Sequence, residues 1–436
     1  MASTYLTRTP SSAGNRKTWT WSAWIKRSSG LGNQQCLLAC SSGSTVFHLV
    51  YFDGSDKLNH NYNQTYCLTE RVFRDTNAWY HLVCAVDTTQ STASNRVKFY
   101  VNGVQETLSG NFPSQNADMT INNNVRHDIS NGGANFNGQF YFDGSMSHIH
   151  FIDGTAYDAS AFGSTDSVTG EWQINTSPSV TYGTNGFFIL KDGNSVTDQS
   201  GNSNNFTVAG GTLTKTEDNP SNLFVTLNSL NPDAVNNSPL SNGNTKFTNV
   251  GGDYYSRTGN IAVTSGKFYA EVKITQAGGS QVGIIDITKA TGDSWYANAI
   301  ERAYVYLENG YRYSNDSGGS WGANTYTTGD IIGVAMDLDN NKVYVSKNGV
   351  FQNSGDPTSG STGTGAMYSI TDGYDYTFVS TTLDGGTDPV HEWNFGNGYF
   401  GSTQISSAGT NASGNGIFEY DVPTGYTALS TKGLNL

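Results

Sequence analysis

The chain has 436 residues, a length at which two or three domains are usual. Its 36 acidic residues outnumber its 23 Lys and Arg residues, so the formal net charge is −13. Because binding to DNA, RNA and anionic membranes depends on clustered Lys and Arg, these partners are excluded. Charged residues make up only 14% of the chain, whereas Gly, Asn, Ser, Thr, Val, Tyr and Phe are abundant. This composition is typical of strands and turns and predicts an all-β protein.

The first half contains four clear strand or turn patterns. Residues 19–25, WTWSAWI, form a dense aromatic strand, and residues 79–87, WYHLVCAVD, are apolar at odd and even positions alike, as in a strand buried on both faces. Residues 96–102 alternate in polarity, and the Asn-Gly pair at 102–103 predicts a two-residue hairpin turn because both residues accept a positive φ. Residues 140–152 indicate a turn followed by another strand.

The second half repeats part of this order. Residues 330–339 contain an apolar strand, residues 342–346 alternate in polarity, and an Asn-Gly pair at 348–349 starts the next turn. Residues 79–104 show the same succession of a buried strand, an alternating strand and an Asn-Gly turn. The repetition predicts two β-sandwiches that use the same hairpin.

Loosely patterned segments separate and follow the two sandwiches. Residues 191–245 are poor in apolar side chains and rich in Asn, Ser, Gly and Pro, so they predict an irregular connector, with short strands expected at 206–208 and 223–227. At most one helical turn is expected, at 158–162. Residues 401–436 form a Gly- and Ser-rich stretch that predicts a C-terminal cap segment.

The cysteines and the N-terminus both indicate a protein made in a cytoplasm. The N-terminal residues contain no apolar signal segment, and no run approaches the ~20 apolar residues of a membrane span, so we expect no export by the standard route and no insertion into a membrane. No CxxC pair occurs, so we expect reduced cysteines in the core, with a zinc site or a disulfide as the alternative. The cysteines are Cys36, Cys40, Cys67 and Cys84.

Three phrases of the first half occur together, WTWSAWIKRSS at 19–29, WYHLVCAVD…VKFYVNGV at 79–104 and FDGSMSHIHFID at 142–153. As a set they resemble a laminin-G-like domain of the concanavalin A type, over residues 1–190. In that family two acidic residues usually follow the FDG of the last phrase. This chain has Ser147 and His148 there, which weakens any inference of a family metal or ligand site.

Four phrases of the second half resemble a SPRY domain over residues 246–400, namely GKFYAEVKIT, QVGIID, GDIIGVAMDLDNNKVYVSKNGVF and WNFGNGYF. The joining phrases YLTRTPSSAGNRKTWT, GNSNNFTVAGGT…DNPSNLFVTLNSLNP and VPTGYTAL resemble structural proteins of marine tailed bacteriophages, which often combine these two domains. The expected organisation is a laminin-G-like domain at 1–190, a connector at 191–245, a SPRY-like domain at 246–400 and a cap at 401–436. The fold class expected is all-β, with two antiparallel sandwiches in series.

Catalysis is not supported by the motifs. Concanavalin-like glucanases need two carboxylates flanking the scissile bond, usually on one strand, and residues 270–275 and 301–308 lack that spacing. No GxSxG, HExxH or Walker sequence is present. We therefore expect no enzymatic activity, no catalytic residues and no cofactor.

Metal sites are likewise not expected. His148 and His150 share one strand face, which is compatible with a metal, but no third ligand is evident and we favour two exposed strand histidines. DLDNNK at 337–342 lacks the Gly and Glu of an EF-hand loop and is better explained as a hairpin turn. Residues 192–205 are rich in oxygen ligands that could hold Ca²⁺ weakly, although an ordinary Asx-turn loop is favoured.

Aromatic rings beside short polar side chains mark one candidate binding surface. Residues 310–326, GYRYSNDSGGSWGANTY, form a polar, Gly-rich segment in which rings could cover the C–H face of a sugar while polar groups take its hydroxyls. The alternative is that these rings fill the core or a subunit contact. The candidate residues are Tyr311, Tyr313, Trp321 and Tyr326, with Trp295 and Tyr296 as a second pair.

The resemblance implies a virion structural protein that forms part of a fibre, a tail appendage or a head decoration. We expect it on the virion surface, assembled in the host cytoplasm, in contact with other virion proteins and as a homo-oligomer, for which a trimer is compatible. Its expected role is adhesion through host-surface polysaccharide. The alternatives are a purely structural cement protein and, less favoured, a carbohydrate-active enzyme.

Overall fold

The aromatic and alternating stretches of the sequence form antiparallel strands that pack into two units, Met1–Lys215 (unit 1) and Thr216–Leu436 (unit 2). Strands account for 42% of the structure and helical turns for 5%, so the all-β prediction is confirmed. The computed structural model describes residues 3–28, 30–41, 46–136, 139–191, 195–231, 239–250, 255–290, 297–382 and 388–435.

Unit 1 contains two sheets that face each other across an apolar core. One sheet has the order β10-β6-β5-β4-β3-β11-β1-β16 and the other β15-β12-β2-β7-β8-β9, and a separate hairpin joins β13 to β14. The strands are β1 (Tyr5–Arg8), β2 (Thr18–Arg27), β3 (Gln35–Ser41), β4 (Phe47–Phe52), β5 (Lys57–Tyr62), β6 (Thr65–Val72), β7 (Trp79–Asp87), β8 (Val97–Val101), β9 (Val104–Gln105), β10 (Leu108–Gly110), β11 (His127–Ile129), β12 (Gly144–Asp153), β13 (Gly163–Thr165), β14 (Trp172–Ile174), β15 (Phe187–Ile189) and β16 (Thr207–Gly210).

Unit 2 repeats this arrangement with different connections. One sheet has the order β17-β18-β30-β20-β25-β26-β27, with β28 beside β26 and β33 beside β20, and the other β19-β29-β21-β22-β23-β24; β31 and β32 form a hairpin. The strands are β17 (Leu240–Ser241), β18 (Lys246–Thr248), β19 (Tyr255–Thr258), β20 (Lys267–Gln276), β21 (Ser280–Asp286), β22 (Ala303–Leu307), β23 (Tyr311–Ser314), β24 (Ser317–Ser320), β25 (Ile331–Asp337), β26 (Lys342–Lys347), β27 (Val350–Phe351), β28 (Tyr368–Ser369), β29 (Tyr376–Thr382), β30 (Val390–Asn394), β31 (Tyr399–Phe400), β32 (Thr403–Gln404) and β33 (Thr427–Ala428).

In the described part of the chain, helix occurs only as single 3₁₀ turns, and none of them is long and apolar enough to cross a membrane. The turn expected at 158–162 forms at Ala159–Ala161, where the Asp158 carboxylate accepts a hydrogen bond from the Ser160 N–H. The other described 3₁₀ turns are Ala93–Asn95, Ala134–Phe136, Ile287–Lys289, Ala297–Ala299, Gln352–Ser354, Gly360–Thr362 and Gly433–Asn435.

The repeated hairpin has the same atomic arrangement in both units. Asn102 and Asn348 have φ values of 48° and 49°, and the glycine after each has a φ of 81°, as a turn with two positive φ values requires. Asn102 donates its N–H to the His81 carbonyl (2.9 Å) and accepts the His81 N–H through Oδ1 (2.8 Å). Asn348 makes the same two bonds to Ile331, both at 2.8 Å. The Asn side chain therefore ties each turn to the adjacent strand.

Residues of the 191–245 interval lie in both units. The described residues up to Lys215 belong to unit 1, where β16 is the edge strand beside β1. Those from Thr216 belong to unit 2, where Phe224 and Leu227 form isolated bridges to Ser430 and Gly259. The cysteines, all in unit 1, are buried and free, so the reduced-core interpretation is confirmed.

Candidate functional site

The segment at 310–326 begins with a β-hairpin, so its side chains alternate between two faces. Tyr311 and Tyr313 lie on β23 opposite Ser320 and Gly318 of β24. Tyr311 is 40% exposed, whereas Tyr313 is half-buried and packs against an apolar cluster around Val305. The Tyr311 ring is therefore accessible to a ligand, and the Tyr313 ring is accessible only in part.

The other two rings of the segment are buried. Trp321 is 9% exposed and Tyr326 is 4% exposed, and both belong to the core between the sheets of unit 2. The Tyr326 hydroxyl donates hydrogen bonds to the carbonyls of Ser280 (2.7 Å) and Tyr306 (3.0 Å). For Trp321 the core alternative applies and the expectation of a surface contact is wrong, because the chain after β24 turns the indole against the Tyr306 ring, with the ring centroids 6.2 Å apart.

The second predicted pair, Trp295 and Tyr296, lies outside the described residues. The candidate set is therefore divided between one exposed ring, one half-buried ring on the same strand and two core rings. The structure does not bring these residues together into one exposed aromatic surface.

A cation and an aromatic ring that the sequence did not predict lie at the edge of this segment. Arg312, between the two tyrosines of β23, points to the opposite face, where its guanidinium carbon lies 5.6 Å from the Trp321 ring centroid and 4.7 Å from that of Tyr368. Arg312 Nη1 donates a hydrogen bond to the Met367 carbonyl. Both Arg312 and Tyr368 are half-buried. Tyr368 comes from β28, so local sequence pattern carried no signal for this contact.

Gly319 leaves space beside Arg312. It is the β24 residue directly opposite Arg312, and a Cβ placed on it would meet no heavy atom within 4 Å. Its φ of 151° also disfavours any other residue. We name Arg312, Gly319 and Tyr368 the rim site of unit 2.

The two histidines considered as metal ligands are buried, which corrects the expectation of exposed strand histidines. β12 has a bulge between Ser147 and His150, with His148 at a φ of 48°. The His148 ring packs against Phe188 of β15, and the His150 ring packs against Phe162 and Tyr182. His148 Nδ1 contacts the Ser147 hydroxyl at 2.8 Å, and His150 Nδ1 contacts the Tyr182 hydroxyl at 2.9 Å. Within the described part of the chain, no three His, Cys, Asp or Glu side chains come together as metal ligands.

The two loops weighed as calcium sites satisfy their own polar groups. The Asp198 carboxylate accepts hydrogen bonds from the N–H groups of Phe188, Ser200 and Asn204 at 2.8 to 2.9 Å. This pattern is that of an Asx-turn loop, although residues 192–194 lie outside the described residues. The segment at 337–342 is the connection between β25 and β26, as the hairpin interpretation predicts.

One carboxyl group of unit 2 is buried within a set of hydrogen-bond donors. Glu271 on β20 has no exposed surface and accepts hydrogen bonds from the N–H groups of Glu419 (2.8 Å) and Tyr420 (2.9 Å), from Asn394 Nδ2 (3.3 Å) and from the Tyr269 hydroxyl (3.2 Å). Burial raises the pKa of Glu271 to about 7 in spite of these donors. The group fastens the C-terminal segment to the sheet, which is a structural use of a carboxyl group.

Histidines with lowered pKa values are concentrated in unit 1. Burial removes the water that would stabilise an imidazolium ion, so the neutral form is favoured. It lowers the pKa of His60 and His127 to about 4 and that of His81 and His391 to about 3, and it lowers the pKa of His48 and His150 well below the usual value. Only His391 of this group belongs to unit 2.

Acidification from pH 7 to pH 5 should therefore destabilise unit 1 more than unit 2. Below pH 6.5 an unfolded histidine binds a proton that these folded histidines reject, so each group lowers stability by up to about 1.4 kcal/mol per pH unit. In unit 2, Glu271 opposes His391, because its folded pKa of about 7 exceeds the ordinary 4.5 and favours the folded state as pH falls. Calorimetry of the whole chain should show one transition falling steeply and one nearly constant; equal shifts would contradict the prediction.

Comparison with known proteins gives a family match for the first part of the chain. Residues 2–160 match the Laminin_G_3 family model, described as the concanavalin A-like lectin/glucanases superfamily. Among solved structures, the chain is similar to the SPRY domain of human HERC1, at 16% identity over 36% of this chain and 91% of that chain, with a TM-score of 0.30. It is also similar to the native heptameric SAP-like pentraxin from Limulus polyphemus, at 15% identity over 36% of this chain and 72% of that chain, with a TM-score of 0.28. No curated protein matches the chain.

Proposed function

We propose that this chain is a structural protein of a bacteriophage virion, exposed on a fibre, a tail appendage or the head, and that it binds host-surface glycan without catalysis. The observation that supports binding is the β23–β24 hairpin, where the exposed Tyr311 ring lies opposite Ser320 on the neighbouring strand. A ring of this kind covers the C–H face of a sugar, and adjacent hydroxyls exchange hydrogen bonds with the sugar's own. The virion assignment rests on the joining phrases of the sequence.

Weak binding at one hairpin would suffice in a virion. Copies held in a homo-oligomer and on one particle bind a polysaccharide together, so the effective affinity exceeds that of one site by orders of magnitude. The exposed outer strand β24 also favours a second candidate, a cement protein that binds other virion proteins. This strand ends the sheet order of unit 2, and an edge strand offers unpaired backbone groups to a partner.

Substitution of Tyr311 by Ser should weaken binding of the purified protein to host cells about five- to tenfold, the ~1 kcal/mol or more expected for an aromatic contact residue. The melting temperature should change little because the ring is 40% exposed. Flow cytometry of labelled protein on host cells measures the effect, and excess protein should also block phage adsorption.

Tyr66→Ser is the matched control, since Tyr66 is 47% exposed but belongs to unit 1. It should leave cell binding unchanged. If the wild-type protein neither binds cells nor blocks adsorption, while particles lacking it lose resistance to heat, the adhesion proposal fails and the cement function replaces it.

A further inference from the structure

Arg312 is a partly buried cation that has no carboxylate partner among the residues that the structure describes. Of the other arginines of unit 2, Arg302 forms ion pairs with Asp286 (2.7 Å) and Glu301 (2.8 Å). For Arg312 the described residues supply only the Met367 carbonyl and two aromatic rings. A guanidinium group carries five N–H donors, so most of its hydrogen-bonding capacity is unused.

The surroundings hold this guanidinium in place. The rings of Trp321 and Tyr368 flank it, and the bond to the Met367 carbonyl fixes one nitrogen. Aromatic contacts of this kind attract the cation. Because Trp321 itself belongs to the core, the site is supported by a rigid element of unit 2.

Space for a ligand exists on the Arg312 face of β24. Gly319 lies opposite Arg312, and a Cβ placed on it would meet no heavy atom within 4 Å beyond its own chain neighbours. Ser317, two residues before Gly319 on β24, is exposed and lies on the same face of the strand. Ser320 pairs with Tyr311 and lies on the opposite face. The opening beside Arg312 is thus bounded by a cation, a glycine and one hydroxyl-bearing residue.

We propose that the rim site binds the carboxylate group of an acidic sugar. The planar fork of an arginine matches a carboxylate through two parallel hydrogen bonds, and such charge-assisted bonds are roughly twice as strong as neutral ones. The flanking rings restrict Arg312, so less entropy is lost on binding. This inference rests on the proposed glycan function and names the chemical class of the glycan.

A second cation lies on β26, beside the residue that follows Tyr368 in the sequence. Lys342 pairs with Ser369, the residue after Tyr368, and its Nζ donates a hydrogen bond to the Ser369 hydroxyl at 2.9 Å. No ion pair joins Lys342 to a carboxylate within the described residues. The net charge of −13 does not prevent an anion from binding at the rim site, because salt at 0.15 M screens distant charges beyond ~8 Å.

The test is affinity electrophoresis of the full chain at 0.15 M salt in gels that contain alginate, neutral dextran or dextran sulfate. Alginate, a polymer of uronic acids, should retard the wild-type protein, and dextran should not. Arg312→Gln should weaken the alginate interaction at least tenfold. Arg312→Lys keeps the charge but loses the planar fork, so its alginate interaction should be weaker than that of the wild type and stronger than that of Arg312→Gln. It also tests the proposal if the Gln variant does not fold.

Lys289→Gln is the matched control, because it removes one positive charge from the same unit at an exposed ion pair with Glu301. Its retardation should equal that of the wild type. Equal losses in the Lys289 and Arg312 variants, no retardation of the wild type by alginate, or Arg312-dependent retardation by dextran sulfate alone would each overturn the carboxylate assignment. If Arg312→Gln still binds cells, the adhesion function stands even where the carboxylate assignment fails. If the wild-type protein binds alginate but does not bind cells, the carboxylate assignment stands and the adhesion function fails.

Discussion

Replacing Trp321 by Ala should lower the free energy of unfolding of unit 2 by about 3–5 kcal/mol, the range for removal of a large core ring. The indole is 9% exposed and packs edge-on against Tyr306, whose hydroxyl donates a hydrogen bond to the Asn324 carbonyl. The cavity cannot close easily, because strands of both sheets surround it. Urea unfolding of the whole chain, followed by circular dichroism, should show an earlier transition for unit 2 alone.

Tyr311→Ala is the control for this experiment, since it removes a ring ten residues away that is exposed. Its effect on stability should stay within about 0.5 kcal/mol. A Trp321→Ala variant that melts like the wild type but no longer binds cells would show that the indole is a surface contact and not part of the core.

The strands and hairpins of this protein could be predicted because their signals are local. The apolar run at 79–87 forms β7 with the predicted bounds, and the alternating run at 342–346 forms most of β26. Each Asn-Gly pair sits where a turn needs two positive φ values, so residue type alone locates it. Burial on both faces of β7 was also readable, because polar side chains are nearly absent from both.

The rim site could not be predicted because it depends on a contact distant in sequence. Tyr368 reaches Arg312 from β28, and the 55 residues between Arg312 and Tyr368 give no sign of the contact. Within 310–326 the composition suggested a loop, whereas residues 311–314 and 317–320 are strands. Side chains alternate along a strand, so Arg312 lies on the face opposite Tyr311 and Tyr313. The proposed ligand contact is therefore Arg312, which lies between the two candidate rings in the sequence.

Burial of the histidines and of Glu271 could not be predicted from the sequence, for a related reason. Strand alternation places a side chain on one face of a sheet, but it does not show whether another segment covers that face. The residues around Phe162 cover His150 in unit 1, and the residues around Phe418 cover Tyr269 and Glu271 in unit 2. Neither covering segment has a regular alternation of apolar and polar residues. The sequence therefore predicted loops there and not a layer that covers the sheet.

A buried ion pair in unit 1 is expected to contribute strongly to the stability of that unit. Arg27 and Asp56 are buried, with side chains 0% and 2% exposed, and Arg27 Nη1 lies 3.0 Å from Asp56 Oδ1. The guanidinium also lies 4.4 Å from the centroid of the Phe52 ring and donates hydrogen bonds to Gln35. Burial lowers the pKa of Arg27, opposed by Asp56, so the charged pair depends on both partners being present.

Asp56→Ala should therefore destabilise unit 1 by about 3–5 kcal/mol, because it leaves the Arg27 charge buried without a counterion. Arg74→Ala provides the matched control. It removes the other cation that contacts Asp56, at 2.8 Å, but the Arg74 side chain is 60% exposed, and surface pairs contribute only about 0–1 kcal/mol. Calorimetry of the full chain should show the unit 1 transition falling steeply in the Asp56 variant and only slightly in the Arg74 variant. Equal losses in the two variants would contradict this prediction, because the exposed contact of Arg74 would then contribute as much as the buried pair of Arg27 and Asp56.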